Sequence, residues 1–427
     1  MTGDDARPWD AARRNPTDRV RDGQEETRVN PSIRAVRIPV LLAAAALVTT
    51  GVAQAADPSP SGGDPIVLGY SIAKTGGFSP YDLAKLAGAQ MAVAEINAAG
   101  GLLGRPVTII DYDTTSDLNQ SAPGAQDLLA RGADFMFATS DYDFGGPAIR
   151  EAVNAGKVGI GFAGDPLFGY HGIGPLAFNV HPGSPAEGAA NAEFAAGEGW
   201  LKAYTLTDTI NSYPSTITSY FKTRFGELGG QIVGEDLFNQ ADTSIATQIT
   251  ALREANPDVI LVASFPPGGA SAVKQIRAAG ITAPILGTAA FDGSSWIGAV
   301  PGLTDMYNPK LSSGDGNDPS QATNDFFASY EQATGEKAQI PSYLAAGYVE
   351  AKLMAEGVTQ AGTIDGPAVA AAISKLSDFQ TILGPLDYAA RPECNMPQSF
   401  EFKFFKVNDG VEEFVKTVAP TVPSVDC

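Results

Sequence analysis

The 427-residue sequence contains little histidine, little cysteine and few basic residues. It has two histidines and two cysteines, and its 28 lysines and arginines are outnumbered by 48 aspartates and glutamates, for a net charge of −20. Proteins that bind nucleic acid neutralise its phosphates with a clustered basic face. The charge balance therefore argues against nucleic acid as a partner.

The sequence also lacks the common catalytic and metal-binding motifs. It contains no P-loop, no dinucleotide-binding glycine fingerprint, no HExxH and no GxSxG. His171 and His181 lie in predicted loops without a paired nucleophile, and neither stands at ligand spacing beside a cysteine. We therefore expect no enzyme activity, no cofactor and no metal site.

No apolar run is as long as the roughly 20 residues that cross a membrane as a helix. The segment Ile38–Val48 has eleven residues, follows Arg34 and Arg37, and ends near the small-x-small pattern of Ala53–Ala55. These features indicate a secretory signal peptide that is removed before Ala56. The mature protein is expected to be exported, either periplasmic or extracellular and associated with the cell surface.

The two cysteines, Cys394 and Cys427, both lie near the end of the chain. In an exported protein, a single pair of cysteines is most simply a disulfide. Such a bond closes a loop of about 30 residues and contributes roughly 3–4 kcal/mol by chain entropy. No cysteine lies near the cleavage site, so a lipid anchor is not indicated.

From Pro65 onward, short apolar segments with β character alternate with helical patterns. The first series of predicted strands is Ile66–Ile72, Val107–Asp113, Asp134–Thr139 and Lys157–Ala163. A second series comprises Leu201–Thr207, Gln231–Asp236, Pro257–Ala263, Pro284–Gly287, Phe400–Val407 and Val411–Val418. Apolar strands that are each followed by a helix indicate parallel sheets covered on both faces. The predicted fold class is therefore α/β, with two doubly wound units.

Four sequence segments carry a resemblance to a known family. They are EINAAGGLLGRPVTIIDYDTTSD (Glu95–Asp117), REANPDVILVA (Arg253–Ala263), KQIRAAGITAPILG (Lys274–Gly287) and ILGPLDY (Ile382–Tyr388). In order and spacing they resemble the leucine/isoleucine/valine-binding protein family of type I periplasmic binding proteins. The resemblance extends over nearly everything from Pro65 to the end of the sequence.

The resemblance implies two doubly wound parallel-sheet lobes joined by a three-strand hinge, with a ligand clamped between them. The three crossings are expected near Val180–Ser184, Asn308–Ser313 and Asp387–Met396. The expected divisions are an N-terminal extension with signal peptide at 1–55, a linker at 56–64, lobe 1 at 65–181 and 311–387, and lobe 2 at 182–310 and 388–427.

Ligand contacts in this fold come from the loops at the carboxyl ends of the strands. Carried over by position, the candidate residues in the first lobe are Phe78, Tyr81, Ser140, Asp141, Tyr142, Ala163, Gly164 and Asp165. The candidates in the second lobe are Asp208, Tyr213, Phe265, Ala289 and Phe291. The aromatic side chains among them predict a pocket for an apolar or flat body.

Two positions depart from the pattern that the resemblance implies. Ala289 stands where an acid is expected to hold a ligand ammonium group, and Asp165 replaces an expected threonine. An α-amino acid ligand would need Asp165, Asp141 or Asp292 as its partner, because a buried carboxylate without a cation is costly. A ligand without an amino group is the open alternative.

Several residues near these loops also have structural explanations. Ser79 and Asp82 are spaced as the N-cap and third position of a capping box. Phe162 follows an apolar strand and is expected in the core. Asp113 and Asp117 are expected to solvate a turn or cap a helix.

The sequence therefore predicts a solute-binding protein of an ABC importer. It is expected to be monomeric, to bind a small amino acid or a related carboxylate or amide, and to dock on membrane permease subunits. The alternative is a ligand sensor that signals to a membrane receptor or kinase. An exported enzyme is the third possibility, to be distinguished by turnover of the bound ligand.

Overall fold

The computed structural model describes residues 63–397 and 400–422. The predicted signal peptide, most of the predicted linker and Cys427 lie outside these ranges. Cys394 is disulfide-bonded, and its pairing with Cys427 stays a prediction. Within the described ranges, no helix combines the length and the apolar character needed to cross a membrane.

A parallel five-stranded sheet forms the first lobe. Its strands are β1 (Ile66–Ile72), β2 (Val107–Asp113), β3 (Phe135–Ala138), β4 (Val158–Gly161) and β5 (Ala177–Asn179), in the order β2-β1-β3-β4-β5. The first three strands are each followed by a helix, namely α1 (Ser79–Ala98), α2 (Ser121–Ala130) and α3 (Tyr142–Asn154). A short 3₁₀ turn lies between β2 and α2. Every residue of β3 and β4 is buried, because helices cover both faces of the sheet.

The chain then crosses to the second lobe, which begins with α4 (Ser184–Gly197). Five parallel strands follow, β6 (Lys202–Asp208), β7 (Gln231–Phe238), β8 (Val259–Ala263), β9 (Ile285–Leu286) and β10 (Met306–Lys310), with helices α5 (Ser212–Glu227), α6 (Ala246–Ala255) and α7 (Gly268–Ala278). Their order, β7-β6-β8-β9-β10, repeats the order of the first sheet.

Three helices then return to the first lobe, namely α8 (Gln321–Thr334), α9 (Pro341–Ala361) and α10 (Gly366–Ile373). Helix α9 lies against α1 at very short range. A Cβ atom on Gly88 would lie 1.8 Å from the Leu344 carbonyl oxygen, and one on Gly347 would lie 1.8 Å from the Lys85 carbonyl oxygen. These two glycines therefore allow the two helix backbones to touch.

The chain ends with two antiparallel hairpins. The first is a small sheet of β11 (Phe379–Thr381) and β12 (Gly384–Leu386). The second, β13 (Phe402–Asn408) and β14 (Val411–Val418), joins the second lobe's sheet beside β10, giving the order β14-β13-β10-β9-β8-β6-β7. The predicted α/β class with two parallel-sheet lobes is confirmed, and the second lobe carries this antiparallel addition.

The predicted capping box is wrong. Ser79 lies inside α1, and Phe78 precedes the helix without a side-chain cap. Asp82 is buried and accepts hydrogen bonds from the backbone N–H groups of Ala73, at 2.8 Å, and Ser140, at 3.1 Å. The segment Met306–Lys310 was not among the predicted strands, and it forms β10 because β9 and β13 pair with it on both sides.

The shared strand order places a topological switch point in each lobe, between β1 and β3 and between β6 and β8. Ligands of doubly wound sheets bind outside the carboxyl ends of the strands at such points. The loops after these four strands are therefore the expected location of a site.

Candidate functional site

A cavity lies between the two lobes, outside the carboxyl ends of their strands. Eight of the sequence-predicted residues line it: Phe78, Tyr81, Ser140, Asp141, Gly164, Tyr213, Phe265 and Ala289. The remaining lining residues are Phe162, His181, Asn211, Ala290, Leu311, Ser342 and Tyr343.

Six phenylalanine and tyrosine side chains line the cavity. The Tyr81 ring lies 6.3 Å from the Phe265 ring and 4.8 Å from the Tyr343 ring, centroid to centroid. Phe162 packs edge-on against Tyr343 at 5.0 Å. Phe162 was expected in the core, and with 3% of its surface exposed it is both a core residue and part of this wall. The rings supply a surface for an apolar or flat ligand body.

Asp141 caps the N-terminus of α3 and is 5% exposed. Its Oδ1 atom accepts a hydrogen bond from the Phe144 N–H at 3.1 Å, and its Oδ2 atom accepts one from the Asn211 side chain of the other lobe at 2.8 Å. Burial raises the pKa of Asp141 to about 7, and the neighbouring Asp143 and Asp165 carboxylates contribute in the same direction. Asp141 is thus a buried acid at the interlobe contact.

Two polar atoms in the cavity wall have no hydrogen-bond partner among the described residues. They are Ser140 Oγ, from the first lobe, and Asn211 Oδ1, from the second. Buried polar groups are nearly always paired, so these atoms are positioned for a ligand or for water.

His181 and Tyr343 add neutral hydrogen-bond donors. Nδ1 of His181 accepts a hydrogen bond from the Gly183 N–H at 2.9 Å, and burial lowers the His181 pKa to about 3. The ring is therefore neutral with its proton on Nε2, where it can donate. Burial also raises the pKa of Tyr343, which keeps its hydroxyl protonated.

Glu187, on α4, lies fully buried behind the Tyr213 and Ala289 wall. Its carboxyl group accepts hydrogen bonds from the Ala289 N–H at 2.7 Å and from the Tyr213 hydroxyl at 3.0 Å. Burial raises the Glu187 pKa to about 8. Glu187 thus brings a carboxyl group to the backbone of position 289, although its side chain does not line the cavity.

Asp208 and Phe291 were predicted site residues, and they do not line the cavity. Asp208 accepts hydrogen bonds from the Ser264 hydroxyl and the Gln240 amide, both at 2.6 Å, so it ties the loops after β6, β7 and β8 together. The Phe291 ring is fully buried and packs against Trp296 at 5.0 Å. Both positions support the cavity from behind.

Tyr142, Ala163 and Asp165 also lie outside the lining. Tyr142 is the first residue of α3 and packs against a hydrophobic cluster of the first lobe. Ala163 is buried in the same cluster. The Asp165 carboxylate turns back to accept a hydrogen bond from the Leu167 N–H at 2.8 Å. This local Asx turn explains why Asp165 does not face the cavity.

Among the described residues that line the cavity there is no lysine or arginine. Within the described ranges no group of histidine, cysteine, aspartate and glutamate side chains is arranged to hold a metal ion. Asp292 was considered as a partner for a ligand cation. Its carboxylate accepts hydrogen bonds from the Ser342 backbone N–H, at 2.7 Å, and from the Ser342 hydroxyl, at 3.0 Å.

Sequence reasoning missed Glu187, Asn211, Ser342 and Tyr343. Asn211 lies one residue before α5 in a loop from which Asp208 and Tyr213 were chosen. Ser342 and Tyr343 begin α9, which reaches the cavity only through its close packing on α1. No local motif marks these four positions.

Comparison with known proteins agrees with this architecture. Residues 65–410 match the model of the family described as periplasmic binding protein. The chain is similar to the Leu/Ile/Val-binding protein homolog 1 of Brucella melitensis, with 22% identity over 82% of this chain and 93% of the relative.

Solved structures share the fold. One is the branched-chain amino acid transporter substrate-binding protein LivJ from Streptococcus pneumoniae, solved in complex with isoleucine. It is 22% identical to this chain, with a TM-score of 0.73, and the match covers 83% of this chain and 100% of that one. Another is a solute-binding protein of an ABC transporter from R. palustris in complex with benzoate, with 20% identity, a TM-score of 0.72, and coverage of 84% and 98%. From the family match across most of its length, the chain belongs to the periplasmic binding protein family, and its two-lobed fold is that of the type I members.

Proposed function

We propose that the protein is the extracytoplasmic solute-binding protein of an ABC importer, carrying a compact amino acid or a related carboxylate or amide between its lobes. The observation that carries this proposal is the cavity that residues of both lobes line at their switch points. Export by the N-terminal signal peptide, a monomeric state and docking of the closed form on permease subunits are parts of the same proposal.

The contacts between the lobes support a clamp that closes on its ligand. The Tyr81 hydroxyl of the first lobe donates to the Ala290 carbonyl of the second at 3.3 Å. The Ser212 N–H donates to the Asp143 carboxylate at 3.0 Å. Such contacts exist only when the lobes meet, so a ligand that touches both lobes favours the closed state through its differential affinity.

The lining supports a ligand with an apolar body and a polar end. The aromatic side chains accommodate the body, and the Tyr343 hydroxyl and His181 Nε2–H are neutral donors for a carboxylate or carbonyl oxygen. The isoleucine and benzoate complexes of the two similar proteins illustrate ligands of this description, one with an amino group and one without it.

Binding without turnover fits the same residues. His181 has no serine or cysteine hydrogen-bonded to it among the described residues, and its Nδ1 atom is engaged by the backbone. The cavity therefore offers no paired nucleophile and base. Neither the Brucella relative nor the two solved structures is described as a sensor, and no observation favours the sensor alternative.

A ligand screen on the purified chain from Ala56 tests the proposal. Amino acids, their amides and small aromatic acids are screened by thermal shift, and hits are measured by isothermal titration calorimetry. We expect at least one compound to bind one-to-one and to raise the melting temperature. The transport proposal would be contradicted if no compound from the three classes bound.

A pair of glycine variants tests whether binding occurs in this cavity. A Cβ atom on Gly164 would lie 2.3 Å from Ser184 Oγ and 2.6 Å from the Tyr213 ring, so Gly164→Ala should displace the wall and weaken binding by tenfold or more. Gly226→Ala on α5 is the control, because a Cβ there meets nothing within 4 Å. Equal affinities of the two variants would place the ligand elsewhere.

A further inference from the structure

We propose that the ligand carries a cationic amino group, and that this group binds at the contact between the lobes on Asp141, Ser140 and Asn211. The inference rests on the proposed function, and it places the cation away from position 289, where the resemblance to the family led us to expect an acid. We call these three residues the seam site.

The seam site is acidic and has no cation of its own. Asp141 is 5% exposed, and Asp143 and Asp165 lie close enough to raise its pKa. None of these three acids takes part in an ion pair among the described residues, and the cavity lining contains no lysine or arginine. Burial of a carboxylate without a cation is costly, so a positive group on the ligand would remove an existing penalty.

The hydrogen-bonding pattern also fits an ammonium group. Asn211 donates from Nδ2 to Asp141, and this fixes its Oδ1 atom as an acceptor. Both Asn211 Oδ1 and Ser140 Oγ are buried without a partner. An ammonium group has three donors, and the seam site offers three acceptors in Asn211 Oδ1, Ser140 Oγ and the Asp141 carboxylate.

The other acids near the cavity, Glu187 and Asp292, do not line it. Glu187 accepts from Tyr213 and from the Ala289 N–H, and it lies behind the wall. Asp292 accepts twice from Ser342. Among the described residues that line the cavity, Asp141 is the carboxylate that a ligand can contact.

The seam site is complete only when the lobes are closed. Ser140 and Asp141 follow β3 in the first lobe, and Asn211 precedes α5 in the second. A cation that contacts all three therefore binds the closed state more tightly than the open one. By population shift, this difference drives closure.

Pairs of ligands that differ only by the amino group provide the test. Leucine is compared with 4-methylpentanoate and phenylalanine with 3-phenylpropionate, by calorimetry on the wild type, Asp141→Asn and the control Asp117→Asn. Asp117 caps a 3₁₀ turn on the surface, away from the cavity. We expect the amino member of a pair to bind at least tenfold more tightly, and Asp141→Asn to remove most of that difference, since the substitution removes the negative charge that attracts the ammonium group.

A pH series separates a direct contact from a structural effect of the substitution. A cation requires ionised Asp141, so affinity for the amino ligand should fall roughly tenfold between pH 8 and pH 6 in the wild type. The decline should be absent in Asp141→Asn. If Asp141→Asn does not fold, Asn211→Ala is measured with the same ligand pairs and should lose the same preference.

Each other outcome has a definite meaning. If the ligands without an amino group bind as tightly as their partners and Asp141→Asn retains both, the seam site is wrong and the proposed function stands. If no ligand of any kind binds the wild type, the proposed function fails and the seam site fails with it.

Discussion

Asp141 and Glu187 are both buried acids without a cationic partner among the described residues. Asp141 lines the cavity, whereas Glu187 lies behind the lining residues Tyr213 and Ala289. Both have a raised pKa, about 7 for Asp141 and about 8 for Glu187, with burial as the main cause. The partners of Glu187, Tyr213 and the Ala289 N–H, belong to its own lobe. Asp141 has a partner in the opposite lobe, Asn211.

Because their partners lie in the same lobe for Glu187 and in the opposite lobe for Asp141, we expect the two acids to have different roles. Opening the lobes leaves the hydrogen bonds of Glu187 intact, so Glu187 positions the Tyr213 and Ala289 wall in both states. Opening removes the Asn211 contact of Asp141 and exposes its carboxylate to water. We therefore expect substitutions at Glu187 to act mainly on stability, and substitutions at the seam site to act mainly on ligand affinity.

The largest expected effect is on stability, from Glu187→Ala. It leaves the Tyr213 hydroxyl and the Ala289 N–H buried without an acceptor, which should lower the free energy of unfolding by about 3 kcal/mol. Urea unfolding measures the change. Glu187→Gln keeps an acceptor and should stay within about 1 kcal/mol of the wild type. Equal losses in the two variants would show that the hydrogen bonds of Glu187 are not what stabilises this wall.

The pH dependence of stability should follow the same acids. Glu187, Asp141 and Asp292 have folded-state pKa values of about 8, 7 and 6, above the values near 4 of the unfolded chain. The folded state binds their protons more tightly, so this contribution is full below about pH 4 and is lost as pH rises through 6 to 8. We expect the free energy of unfolding of the ligand-free protein to fall by at least about 2 kcal/mol between pH 5 and pH 8. A rise over this range would contradict the burial of these acids.

A smaller effect, on affinity alone, is expected from Asn211→Ala. The substitution removes the bridge to Asp141 and the free Oδ1 acceptor, and should weaken ligand binding about tenfold, or about 1.4 kcal/mol. Asn211 makes no side-chain cap to α5, so the free energy of unfolding should change by less than about 0.5 kcal/mol. Calorimetry measures the change in ligand affinity, and urea unfolding measures the change in the free energy of unfolding. A larger loss of unfolding free energy than of binding free energy would contradict a role of Asn211 in ligand binding.

The smallest expected effect is from Tyr213→Phe. The ring that lines the cavity is kept, and one hydrogen bond to Glu187 is removed. Because Glu187 keeps the Ala289 N–H, the free energy of unfolding should fall by about 1 kcal/mol with little change in ligand affinity. A loss of affinity beyond tenfold would mean that the Tyr213 hydroxyl contacts the ligand itself.

Loop positions in the cavity could be predicted because the resemblance to a known family identified the loops. Tyr81 and Asp141 were carried over from that resemblance by position, in loops that also satisfy the rule that sites lie after the strands at a switch point. The same rule included Asp208 and Phe291, because it selects a loop and does not say which way each side chain turns.

Contacts that depend on packing between distant segments could not be predicted. Tyr343 reaches the cavity because Gly88 and Gly347 let α9 touch α1. Glu187 contacts the Ala289 backbone because α4 passes behind that loop. Neither fact leaves a periodic or local signal in the sequence. The capping-box prediction for Asp82 failed for a similar reason. Its hydrogen-bond partners, Ala73 and Ser140, follow two different strands.

A crystal structure of the protein with an amino-acid ligand from the screen tests the central claim most directly. The account predicts closed lobes, with the ligand nitrogen within about 3.2 Å of the Asp141 carboxylate, Asn211 Oδ1 and Ser140 Oγ. A ligand nitrogen at the Ala289 and Glu187 side of the cavity, with Asp141 contacting only protein, would contradict it.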